Sequence, residues 1–308
     1  MIEKTLKGRY MVDFRELVQH GIHFGHQTSR WCPKMAPYIW GHRNGIHLID
    51  VTKTARAMEN AAAFLEQITS EGKTVLFVGT KKSAQGAIEK AGKELNVPYV
   101  TYRWIGGTLT NFSQVKKAVT KLLHHEDILA KSENYPYTKK ELTVFNKMVE
   151  RLDRSIGGIR SLTWPVGAVV LVDVKKEDTA LREANIAGIP VVALVDTNND
   201  PSLVNYVIPA NDDSPRAVAF VVDYLAQSVA RGKAKAEETQ KKQQSEAAAK
   251  RTDVEKDRAE RPASRGFERA PLHAQRRPMV KKVVKPVVAS SKTEEKAQEA
   301  PKAENVQE

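Results

Sequence analysis

A single cysteine, Cys32, occurs in 308 residues, so the chain has no internal disulfide framework and suits a reducing compartment. No apolar run approaches the roughly 20 residues needed to span a bilayer. The opening residues, MIEKTLKGRYMVDF, also lack a continuous apolar signal core. No membrane partner is expected, and the cytoplasm is the expected location. Enzyme signatures are missing as well. No Gly-x-Gly-x-x-Gly opens a helix, and TKKSAQG, which follows an apolar run, lacks the upstream glycine of a phosphate loop. There is no Gly-x-Ser-x-Gly elbow. Cys32 precedes Pro33 in a basic loop where nothing orients a base toward it.

What is present begins with charge. The formal net charge is +12 and the sequence pI about 9.6, which fits a densely anionic partner. Lys and Arg outnumber Asp and Glu by 29 to 24 over residues 1–230 and by 20 to 13 over residues 231–308, so the last quarter carries more than its share. From Gly232 onward the sequence mixes charge, Gln and Ala around a single aromatic, Phe267. Such a segment buries too little apolar area to offset chain entropy. Residues 232–308 therefore read as a disordered basic extension, helical in its first part, that either solubilises the chain or strengthens polyanion binding.

Residues 11–231 alternate apolar runs with helical periods, the pattern of a sheet covered by helices on both faces. The expected strands are TVLFVG (74–79), PYVTYR (98–103), AVVLVD (168–173), PVVALVD (190–196) and NYVIP (205–209). Without polar alternation they suit parallel strands buried on both sides. Helices are expected over Thr52–Ser70 and Lys82–Leu95, with a short leading helix between Asp13 and Gly21 and a hairpin turn at Asn44-Gly45. Over sixty residues separate the strands ending near Arg103 and starting near Ala168, too many for an ordinary crossover. Phe112, Val115, Val119 and Leu122 form one stripe, and Phe145, Met148, Leu152, Ile156 and Ile159 another. Two such helices meeting at SENYPYT predict an inserted antiparallel hairpin over 108–160, a small coiled coil projecting from the sheet.

Two segments concentrate basic and aromatic residues. TSRWCPKMAPYIWGHRNG sets Arg30, Lys34 and Arg43 among Trp31, Tyr38 and Trp40, while YRWIGGTLTNFSQVKK sets Arg103, Lys116 and Lys117 among Trp104 and Phe112. Cations neutralise phosphates, and rings stack on bases. Trp40 and Phe112 lie in apolar stripes and are expected in the core; Trp31 and Trp104 fit either role. A zinc site from His20, His23, His26 and Cys32 matches no standard spacing. A better-placed candidate is a divalent metal ion held by Asp196, Asp212 and Asp213 at neighbouring strand ends, with His26 completing the set if the amino-terminal loop folds over that rim. Turn and cap duty for the aspartates is the plain alternative. No cofactor is otherwise required.

The blocks HFGHQTSRWCPKMAPYIWGHRNGIHLIDVTKT, VLFVGTKKSA, YRWIGGTLTNF and REANIAGIPVVALVDTNNDPSLVNYVIPANDD closely resemble those of the bacterial small-subunit ribosomal protein S-two family. The likeness runs in order from about residue 11 to 230. It implies a three-layer, flavodoxin-like parallel sheet with helices on both faces and a protruding helical hairpin. It also implies a structural ribosomal protein, not an enzyme, that binds small-subunit rRNA, contacts other small-subunit proteins and helps to recruit the messenger-binding protein S-one for translation. Carried over by position, its motif blocks fall on Arg30, Trp31, Lys34 and Arg43, and on Arg103, Trp104, Thr110 and Asn111. Lys81, Lys82, Lys116 and Lys117 are the expected phosphate partners. Cys32 departs from the Asn expected in many relatives. A nucleotide-dependent oxidoreductase or hydrolase on the same fold is the rival reading.

Overall fold

The computed structural model describes residues 12–131 and 137–259. Contacts divide the chain between Val254 and Glu255, and the first of these units is the α/β body. Its chain begins with α1 (Phe14–Gln19), capped by Asp13. β1 (Phe24–Gln27), β2 (Ile39–Arg43) and β3 (Ile46–Ile49) follow, forming an antiparallel sheet in the order β1-β3-β2. Asn44 and Gly45 join β2 to β3 with φ of 52° and 75°, the left-handed pair that a tight hairpin turn needs. Sequence patterning exposed this hairpin but not β1.

α2 (Val51–Ser70) leads into the main sheet of β4 (Thr74–Val78), β5 (Tyr99–Val100), β6 (Val166–Val172), β7 (Val191–Val195) and β8 (Tyr206–Pro209). The strands lie in the order β5-β4-β6-β7-β8, and every neighbouring pair is parallel. That is the strand order of flavodoxin-like sheets. All five expected strands are present. The second is shorter than its apolar run because it sits at the sheet edge; beyond Val100 the chain turns away, leaving Tyr102 exposed beneath the Arg154 guanidinium.

Alternate residues of each strand pack on opposite layers. Phe77, Val170, Val192 and Ile208 meet α2, α3 (Lys82–Leu95) and the last helix. Leu76, Val169, Leu171 and Ala193 meet α4 (Phe112–Ala130), α5 (Lys139–Ile156) and α6 (Asp178–Ile186). Because both faces are buried, the strands read as unbroken apolar runs. α4 and α5 pack against each other, with Val115, Leu122, His125 and Ile128 buried on one and only Ile156 on the other. Most of SENYPYT, residues 132–136, lies outside the described residues.

Two expectations about burial need correction. Trp40 was expected in the core but is 76% exposed: Ile39 faces the body, so the next residue on this edge strand points the opposite way. The boundary expected at residue 231 also falls inside a continuous helix, α7 (Pro215–Ala259). Gly232 is buried there against Glu66 and Thr69 of α2, where a Cβ would collide with both. Lys233 Nζ donates to Leu95 O (2.6 Å) at the end of α3, and Arg231 and Lys235 pair with Glu66. The extension is thus helical at its start, as its composition predicts; residues 260–308 lie outside the described part.

A pair of glycines tests the packing. A Cβ on Gly158 would overlap Tyr99 O of the edge strand, whereas one on Gly86, inside α3, meets nothing within 4 Å. Gly158→Ala should cost about 1–3 kcal/mol through overpacking, and Gly86→Ala should add about 0.5–1 kcal/mol through helix propensity. Urea unfolding midpoints read both, and equal shifts would contradict the close approach at Gly158.

Candidate nucleic-acid interface and its carboxylate rim

Four parallel strands deliver polar residues to one rim: Thr80 and Lys81 after β4, Asp173 after β6, Asp196 and Thr197 after β7, and Asp212 and Asp213 after β8. Asp196 and Asp212 are fully buried, a costly place for charge unless it is paired. The small amino-terminal sheet closes over them. Gly25 permits this approach, since a Cβ there would stand 2.6 Å from Thr197 Cγ2. His26 N donates to Thr197 Oγ1 (2.9 Å) and Cys32 N to Thr197 O (2.7 Å).

This docking sets the His26 imidazole among carboxylates. Its Nδ1 lies 3.1 Å from Asp196 Oδ2 and its Nε2 3.4 Å from Asp213 Oδ2, and the Asp196 carboxylate raises its pKa above the ordinary value. Nδ1 is buried without an aligned hydrogen bond, so its attraction to Asp196 is ionic and undirected. Burial, and then the neighbouring Asp196 charge, push Asp212 up to about 7. Lys81 answers from the other side: Nζ stands 2.7 Å from Asp212 Oδ1, 2.5 Å from Asp213 Oδ1 and 3.8 Å from Asp173 Oδ2. Burial opposes its charge, but its hydrogen bonds to Asp212 and Asp213 prevail and raise its pKa. The same ammonium holds Asp213 below its usual range.

His26, Asp196 and Asp212 each offer one donor atom, all within 4.8 Å of one another. One imidazole nitrogen and two carboxylate oxygens suit a borderline divalent ion such as zinc or manganese, which would take over the His26 Nδ1 that now pairs with Asp196. Asp213, also expected in the set, faces the opposite ring nitrogen and Lys81 instead.

The crevice where strand order reverses, between β4 and β6, is filled from within. Glu177 Oε1 accepts from Thr80 N (2.8 Å) and Thr80 Oγ1 (2.6 Å), just before α3. In doubly wound enzymes this is where a bound phosphate meets backbone N–H groups. Here a buried side-chain carboxylate already occupies the Thr80 N–H and hydroxyl, and burial raises its pKa.

A second buried carboxylate shapes the other basic loop. Glu183 of α6 accepts from Trp104 Nε1 (3.0 Å), Gly107 N (2.8 Å) and Leu109 N (3.0 Å), with Thr110 N at 3.5 Å. The Trp104 ring is thereby fixed in the core, only 8% exposed, and the free chain offers no face of it to a base. Arg103, Thr110 and Asn111 are exposed around this cradle.

The expected phosphate partners separate into two groups. Arg30, Arg43, Lys82, Arg103, Lys116 and Lys117 are exposed and have no ion-pair partner among the described residues. Lys34 is bonded to Asp200 (2.6 Å), which holds that carboxyl at about 2, and Lys81 is committed to the rim. Trp31 is 38% exposed and packs on His47, while Phe112 is half-buried and stacks on Trp164. The cradle and the plug escaped sequence reading. The signal for Glu183 was present, since it shares the buried stripe of α6 with Ala180, Leu181 and Ala184.

These features define a doubly wound scaffold with a plugged nucleotide crevice and loops that carry unpaired cations. A profile of the family described as Ribosomal protein S2 matches residues 17–232. The chain is 42% identical over 246 residues to small ribosomal subunit protein uS2 of a Nitratiruptor species, covering 80% of this chain and 92% of the relative. It is 44% identical over 218 residues to the uS2 protein of Cytophaga hutchinsonii, covering 71% and 86%. The chain belongs to the ribosomal protein S2 family, a family of structural ribosomal proteins and not of enzymes, with its place in translation in the cytoplasm. The enzymatic rival is set aside. Separately, no helix among the described residues is long and apolar enough to cross a membrane.

The cradle predicts a measurable cost. In Glu183→Gln one acceptor oxygen becomes an N–H donor facing N–H donors, so at least one buried donor loses its partner, at about 1–3 kcal/mol. The unfolding midpoint should fall, and Trp104 emission should shift as its N–H is released. An unchanged midpoint would mean that Glu183 does not hold the loop.

Proposed function

We propose that the chain binds small-subunit rRNA through the two loops around Arg30 to Arg43 and Arg103 to Lys117, and contacts neighbouring proteins of the small subunit, protein S-one among them. The observation that carries this reading is the set of exposed cations without ion-pair partners: Arg30, Arg43, Lys82, Arg103, Lys116 and Lys117. Cations paired within a protein must break those pairs before they can neutralise phosphate, whereas these are available. Thr110 and Asn111 stand beside them as hydrogen-bonding groups for sugar and phosphate oxygens. The partly exposed Trp31 offers a ring that can stack on a base. Along α5, Lys139, Lys140, Lys147, Arg151 and Arg154 are exposed while Ile156 is its only buried residue. That balance suits a hairpin that projects from the sheet as a contact arm.

The salt dependence of binding tests the assignment. Arg30→Ala and Arg103→Ala should each weaken rRNA binding and lower the slope of log K against log salt by about one unit. Lys81→Ala should leave the slope unchanged, because that ammonium is spent on Asp212 and Asp213. Filter binding across a salt series reads all three; an equal slope loss in Lys81→Ala would contradict the division between free and committed cations.

A divalent ion at His26, Asp196 and Asp212 is the second reading, favoured by the convergence of these three donors. The ion would join the amino-terminal sheet to the ends of β7 and β8. Asp212 must lose its proton to serve as ligand, so uptake should weaken as pH falls through about 7. Metal content by mass spectrometry should drop in Asp196→Ala and Asp212→Ala; equal content in all three proteins would exclude the site.

A further inference from the structure

The small amino-terminal sheet covers the carboxylate rim with one face and leaves the other bare. In the order β1-β3-β2, Leu48 pairs with Phe24 on one side and Gly41 on the other, and Ile46 pairs with Gln27 and Arg43. Residues paired across antiparallel strands share a face, so these form two rows on one side. His47 and Ile49, which alternate with them along β3, are buried on the opposite side. Ile39 pairs with Ile49 and Gly41 with Leu48, so Trp40 is an extra residue in its strand. A bulge of this kind re-aims a side chain. Here it sends the Trp40 indole out to the bare face, where Phe24 and Ile46 are exposed as well.

The geometry points to this face as a stacking platform for the bases of unpaired RNA. The inference rests on the reading of the chain as an RNA-binding protein and specifies the form of RNA that the amino-terminal segment takes. The two rings stand on the outer strands, two strand spacings or about 10 Å apart, with Leu48 on the strand between them. The floor beside Trp40 is open, since a Cβ on Gly41 would meet nothing within 4 Å. Charge decides what fits there. No Asp or Glu occurs between Glu16 and Asp50, whereas Arg30, Lys34 and Arg43 do. Arg43 belongs to the bare face, is exposed and has no ion-pair partner among the described residues. Open rings bordered by positive charge alone suit a polyanion that also presents aromatic faces, and single-stranded RNA presents both. A duplex hides its base faces in its own stack and offers this surface only phosphates. An acidic protein segment answers the charge but not the two rings.

Poly(U), the poly(A)·poly(U) duplex and polyglutamate are the probes for the full-length protein, with RNA retention on a filter and tryptophan emission as readouts. Poly(U) should quench Trp40 and bind more tightly than the duplex. Trp40→Ala should weaken poly(U) binding about tenfold. The slope of log K against log salt should not change in this variant, because no phosphate contact is lost. Trp40→Phe keeps a ring, so it should keep the affinity while the Trp40 part of the quenching disappears. Gly41→Leu sets a side chain over the open floor and should cost poly(U) affinity as Trp40→Ala does. Unchanged poly(U) affinity in Trp40→Ala, or equal binding of poly(U) and the duplex, overturns the inference. Tighter binding of polyglutamate than of poly(U) also overturns it and gives the face to a protein. Small-subunit rRNA separates the two readings. Retention of rRNA that falls in Arg30→Ala and Arg103→Ala, with poly(U) binding indifferent to Trp40, removes only the platform. Poly(U) binding that depends on Trp40, without rRNA retention, removes only the rRNA reading.

Discussion

Asp196 and Asp212 end neighbouring strands with no access to water, and a buried carboxylate without partners costs several kcal/mol. The rim is built around meeting that cost. His26 arrives from the small amino-terminal sheet, Lys81 from the turn before α3, and Asn199 from the loop after β7. Each comes from a different part of the chain, so the requirement of two carboxylates welds three segments into one surface. The docking of β1 to β3 over the main sheet follows from it, and with that docking comes the placement of Arg30, Trp31 and Arg43.

Carboxylates do comparable work at two other positions. Glu177 fills the switch-point crevice, and Glu183 gathers the N–H groups of the loop from Trp104 to Thr110. An enzyme on this fold keeps such donors free for its ligand; here the protein supplies the anions itself. The result is a frame that spends these loop donors on its own carboxylates while Arg30, Arg43, Lys82, Arg103, Lys116 and Lys117 stay without ion-pair partners among the described residues. That division suits a protein whose partner is a fixed polyanion, because rigid loops lose little entropy when they dock.

Much of this was legible before any coordinates. The five strands, α2, α3, the Asn44-Gly45 turn and the paired helices follow from apolar periodicity and turn chemistry, which act over a few residues. That Asp196 and Asp212 share one rim was also foreseeable, since parallel strands must end on the same side, whereas His26 joins them only because the amino-terminal sheet folds over that rim. The misplacement of Trp40 and the open choice over Trp104 share one cause. Trp40 and Trp104 differ in exposure by almost an order of magnitude, yet both sit beside polar residues in aromatic-rich segments. Sequence neighbours say nothing about which face of an edge strand is covered or which distant carboxylate waits for an indole N–H.

The order of apolar runs, the excess of positive charge and the motif blocks determined by themselves the α/β class, the two basic loops and the family, because periodicity, charge and motif are properties of the chain as written. Which cations remain available and which rings face solvent were decided only by the tertiary structure. Lys81 and Asp212 stand 131 positions apart, and a charge is free or spent according to what the fold brings within 3 Å of it.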